Sequence, residues 1–138
     1  MAERARVGGV VMFVQNLDRS VNFYTDVLLL EVADRSPTAA LLSKADGTSL
    51  ILRAMGRQAP HPLGSVGVQY VVWAAAGEKD LIRAEGALTA RGAHRETRSH
   101  DDVRLVEGRD PDGIPVMICY PGPDQRPVHE LPARIYGW

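Results

Sequence analysis

The same succession of strand, helix and shorter strands occurs twice in this chain, with Gly9 and Gln69 at matching points 69 − 9 = 60 residues apart. That duplication limits the fold more than any other feature. In the first half, Val7 to Val14 is an apolar, β-branched run too short to favour a helix, so it reads as a strand. Asn16 then caps a helix running to Leu28, with Leu17, Val21, Tyr24 and Leu28 on one face. Glu31-Val32-Ala33 adds a short extension. Thr38 to Ser43 and Thr48 to Arg53 form two strands around Asp46-Gly47, a dipeptide suited to a tight hairpin.

After a stretch rich in Pro and Gly the order begins again. Val68 to Ala74 is a strand, and Lys79 to Arg91 is a helix carrying Leu81, Ile82, Ala84, Leu88 and Ala90, with Gly92 placed to stop it. Strands follow near His94 to Thr97, at Val103 to Gly108 and at Pro115 to Tyr120. The last two are joined by the turn Asp110-Pro111-Asp112-Gly113. The expectation is an α+β fold of two β-α-β-β-β modules in one domain over residues 1–138: module 1 at 7–55, a linker at 56–66, module 2 at 67–121 and a tail at 122–138. Each module makes a curved sheet with its helix outside, and alternate strand residues line a shared cup.

Charge narrows the partners. Sixteen basic and seventeen acidic residues are interleaved along the 138, leaving a net charge of −1 and no basic stripe for nucleic acid. No apolar run approaches the ~18 residues of a membrane span, and the N-terminus lacks a secretory pattern, so no membrane partner and a cytoplasmic location are expected. Cys119 is the single cysteine, which excludes an internal disulfide and a Cys-based zinc site.

The segments NLDRSVNFYTDVL (16–28) and GRDPDGIPVMICYP (108–121), in their respective halves, resemble the vicinal oxygen chelate superfamily of glyoxalases, bleomycin-resistance proteins and extradiol dioxygenases. The resemblance spans about residues 7–121. It departs at Leu29, where the family commonly has a helix-ending glycine. Metal-dependent members of that family place His or Gln on the first strand of each half and Glu on the last. The matching positions here hold Gly9, Gln69, Ile51 and Met117. Glycine and isoleucine offer no donor atom, a thioether favours soft metals, and one amide is a weak ligand for zinc, iron or magnesium. The histidines, His61, His94, His100 and His129, lack the spacing of a ligand pair. No metal and no cofactor are expected.

Alternation from the family positions lines the cup with Gly9, Val11, Phe13, Ser49, Ile51 and Arg53, then Gln69, Val71, Trp73, Pro115, Met117 and Cys119. One reading is that this apolar stripe merely fills a small core. The other is a site for a hydrophobic, aromatic small molecule, bound without metal. In that reading Phe13 and Trp73 stack, Ile51, Met117 and Cys119 provide apolar wall, and Gln69 or Arg53 fixes orientation. Members lacking the metal ligands resemble antibiotic-sequestering resistance proteins, which implies capture of a drug. The alternative is a metal-free enzyme, an isomerase, cyclase or lyase acting on an aromatic or polyketide-like metabolite. Glu107 is its candidate general base, ahead of Tyr24, His94 and Arg104. The tail packs on its own sheet, or it crosses to a second subunit or closes the cup with Tyr136 or Trp138 touching the ligand, and the resemblance implies a homodimer.

Overall fold

The computed structural model describes residues 3–57 and 62–126. The chain divides into two units, Met1–Ala59 and Pro60–Trp138. His61, His129, Tyr136 and Trp138 lie outside the described residues, and with them most of the expected tail.

The first unit holds β1 (Val10–Val14), α1 (Leu17–Val27), β2 (Glu31–Arg35), β3 (Ala39–Ser43) and β4 (Ser49–Ala54). Its sheet runs β1-β4-β3-β2, with β1 parallel to β4 and the other pairs antiparallel. Asn16 caps α1 as expected, its side chain accepting from the Arg19 N–H at 3.0 Å. The helix closes at Leu28, and Leu29 follows with a φ of 56°, the left-handed region that favours glycine. Val14, Ala40, Leu42, Leu50 and Leu52 are buried together with Leu17, Val21, Phe23, Tyr24 and Val27 of α1. The sheet therefore has one face covered by its helix.

The second unit repeats this with β5 (Val71–Ala74), α2 (Glu78–Ala90), β6 (His94–His100), β7 (Val103–Arg109) and β8 (Pro115–Tyr120), in the order β5-β8-β7-β6. Gly92, at φ 67°, ends α2, and the Ala93 N–H returns to the Leu88 carbonyl at 2.9 Å. The Asp110 carboxylate accepts from the Asp112 and Ile114 N–H groups, each at 2.9 Å, which fixes the expected turn between β7 and β8.

Four boundaries differ from the sequence reading by two residues or more, the first being β1, which starts at Val10 rather than Val7. The short extension at 31–33 is a full edge strand, β2, with a register shift between Val32 and Asp34. β6 continues to His100, so the whole polar run HRETRSH is paired with β7. β5 starts at Val71 rather than Val68, because residues 62–69 form a loop held by Gln69.

Candidate functional site

Strand pairing decides which residues share a face. In the first unit Val11 pairs with Ile51 and Phe13 with Arg53, and across β4 Ile51 pairs with Leu41. Residues between them, such as Leu50 and Leu52, point to α1 and are fully buried. Val11, Phe13, Ile51 and Arg53 thus occupy the face turned away from the helix, as the alternation requires. Their exposure sets this face apart: Phe13 is 61% and Val11 57% accessible, Arg53 is exposed, and Ile51 is half-buried. Gly9 stands at the end of the same row, where a Cβ would meet the Ser49 Cβ at 3.4 Å.

In the second unit the register departs from expectation by one residue. Met117 pairs with Val72, Cys119 with Ala74, and Ile118 with Trp73. Val72 corresponds to Val11 at an offset of 72 − 11 = 61, not 60, and a slip of one reverses every side chain on a strand. Trp73 therefore shares a face with Ile118 and Val106, and Val71 with Val116 and Gly108. That is the α2 side, since a Cβ on Gly108 would fall 2.9 Å from Leu88 Cδ2. Trp73 is not brought together with Met117, and Tyr70 stands where Gln69 was expected. The helix caps held the signal: Asn16 and Gly77 are also 61 apart.

Gln69 is diverted from the sheet. Its carbonyl oxygen accepts from the Gly64 N–H, and its amide donates to the Ser65 carbonyl and, at 2.9 Å, to that of Gly67. Its polar atoms organise the loop instead of facing a ligand.

Met117 and Cys119 do lie together, on the face away from α2, but not in an open wall. Both are inaccessible, packed with Val103 and Leu105 and flanked by Tyr70 and Val72. Burial pushes the Cys119 thiol up to about 11, helped by the negative charge of Asp124. Glu107 pairs with Met117, so its side chain turns to this same face, as the base reading demanded. It is 1% exposed and ion-paired with Arg98 of β6, whose side chain is 10% exposed. The other proton-transfer candidates lie elsewhere. The Tyr24 hydroxyl donates to Met12 Sδ at 3.6 Å inside the first unit. His94 contacts Thr97 Oγ1 at 2.7 Å, and both Thr97 and, at 3.9 Å, Arg104 engage Glu85 of α2.

The family positions do not fit a hard divalent cation. Glycine, isoleucine and methionine stand at three, and the register puts the Tyr70 phenol at the fourth. Among the described residues, no group of three or more His, Cys, Asp or Glu is placed to hold a metal ion, and no helix is long and apolar enough to cross a membrane.

Comparison with known proteins agrees with this architecture. Residues 6–118 match the Glyoxalase/Bleomycin resistance protein/Dioxygenase superfamily. A glyoxylase/bleomycin resistance protein/dioxygenase domain from Frankia sp. EAN1pec is similar at 23% identity and a TM-score of 0.74, over 85% of this chain and 92% of that one. Lactoylglutathione lyase from Agrobacterium tumefaciens gives 19% and 0.65, over 86% and 95%. The oxidase ChaP-H1 gives 21% and 0.66, over 86% and 100%. No curated protein matches the chain.

Proposed function

This chain belongs to the glyoxalase/bleomycin resistance protein/dioxygenase superfamily, and from that premise we propose that it binds a hydrophobic, aromatic small molecule without a metal ion. The observation that carries the reading is the face of the first sheet away from α1. A sheet with one side sealed by its helix displays Val11 and Phe13 at 57% and 61% exposure on the other, beside Ile51 and Arg53. Exposed apolar residues grouped in this way mark binding surfaces. Phe13 supplies a ring for stacking, Val11 and Ile51 the apolar floor, and Arg53 a cation for an oxygen on the ligand. Covering about 300 Å² of apolar surface contributes roughly 7 kcal/mol before ordering costs, enough for micromolar binding with no covalent step. Capture is the role this suits, including resistance to an aromatic antibiotic by sequestration.

Support for the enzyme reading is narrower. Glu107 faces the right side of its sheet, but its carboxylate is engaged by Arg98 and its surroundings are packed. The two readings separate in one experiment. After prolonged incubation with a panel of fused-ring natural products, a bound compound is released by denaturation and its mass measured. Recovery unchanged, with binding weakened about 5- to 100-fold by Phe13→Ala, supports capture. A converted compound, or affinity indifferent to Phe13, overturns it.

A further inference from the structure

The segment that follows β8 lies against the end of β5 that is paired with Cys119. Ala74, the last residue of β5, pairs with Cys119, and both face away from α2. Gly122 lies directly against it: a Cβ at Gly122 would come within 2.9 Å of the Ala74 Cβ and 2.8 Å of Asp124 Oδ1. The chain then turns, the Gln125 and Arg126 N–H groups donating to the Gly122 carbonyl at 2.9 and 3.0 Å. Arg126 Nε finally donates to Asp102 Oδ2 at 2.8 Å. Asp102 belongs to the turn between β6 and β7 and directly precedes Val103, a member of the apolar cluster. From Ala74 at one edge strand to the β6–β7 turn, the segment crosses one end of the second sheet. Its close contact is made possible by a glycine, and its far end is held by an ion pair whose side chains are 56% and 57% exposed.

We propose that residues 121–126 are a strap, latched by Arg126 and Asp102, whose lifting admits solvent and small molecules to Cys119 and the apolar cluster around it. An exposed ion pair is weak and screened by salt, which suits a latch that opens without unfolding the sheet. The charge of Asp124 on the Cys119 thiol agrees with a segment lying close to it.

Cys119 is the only cysteine, so reaction of the full chain with 5,5′-dithiobis(2-nitrobenzoate) at fixed pH reads the opening. Asp102→Asn and Arg126→Gln are each expected to speed labelling two- to fivefold. Raising NaCl to 1 M should speed the unaltered protein similarly and leave those variants unmoved. Gly122→Ala, which forces the strap off Ala74, is expected to speed it tenfold or more. The exchanged pair, Asp102→Arg with Arg126→Asp, should restore slow labelling. Throughout, the rate should depend only weakly on low urea concentrations, the signature of a local opening. Equal rates in Asp102→Asn and the unaltered protein, or a urea dependence as steep as that of global unfolding, would overturn the proposal.

Discussion

Glu107 and Arg98 form an ion pair beside the apolar cluster of Val103, Leu105, Met117 and Cys119, with Glu96 of β6 opposite Glu107. Removing one partner leaves the other charged and poorly solvated, so Glu107→Gln should cost about 3–5 kcal/mol in urea unfolding. The double replacement Arg98→Met with Glu107→Leu should cost far less or stabilise. Cys119 adds a pH dependence of known sign. An unfolded thiol ionises near about 8.5, whereas the folded one waits until about 11. Between those values the folded state holds the extra proton, so this contribution to stability is complete below the lower pKa and is lost as pH rises through the window. Stability measured from pH 8 to 11.5 should show that decline, and Cys119→Ala should flatten it. The sequence put Met117 and Cys119 on one face by alternation from the matching family positions but left the direction of Glu107 open; the pairing of β7 with β8 turns it to that face. The same alternation misplaced Trp73 because β5 is joined to β8 only through the sheet, and one residue of loop ahead of β5 is invisible to periodicity.

Both helices were legible, because each pairs an apolar stripe with a stop or start signal that acts locally: Asn16 before α1, Gly92 after α2. Strands whose residues are polar were legible only in part, as the extension at 31–33 and the strand near His94 to Thr97. β2 is exposed along its whole length, and β6 reads HRETRSH, so neither shows the alternation that burial imposes; both exist because a neighbouring strand supplies hydrogen-bond partners. The end of α1 shows an element carrying a cost the sequence did announce. Leu29, in the position where the family commonly has glycine, adopts a φ of 56° and is half exposed, so its side chain returns little packing for the backbone strain. Relieving that strain outweighs the extra freedom glycine brings to the unfolded chain. Leu29→Gly is therefore expected to stabilise the protein by about 0.5–1 kcal/mol, read as a rise of a few degrees in melting temperature.

Duplication announced two similar sheets, each with a helix on one side, and the structure has them. It could not announce that their other faces would diverge. The same pairing geometry presents Val11 and Phe13 at more than half exposure in the first unit. In the second, Val72, the counterpart of Val11, joins the packed cluster around Met117, and Ala74, the counterpart of Phe13, is exposed but offers only a methyl group. Periodicity assigns a side chain to a face, but exposure depends on what lies over that face, which involves residues distant in sequence. The two units should then contribute unequally to recognition. A fused-ring aromatic compound that raises the melting temperature of the unaltered protein should lose most of that effect with Phe13→Ala or Val11→Ser. Met117→Leu, which conserves volume within the packed cluster, should retain it. Zinc, nickel or manganese added at tenfold excess should leave both the melting temperature and the compound's effect unchanged, because Gly9, Ile51 and Met117 offer such ions no oxygen or nitrogen side-chain donor. A metal-dependent shift would show that the donors lie elsewhere in the chain and would remove the ground for a metal-free site.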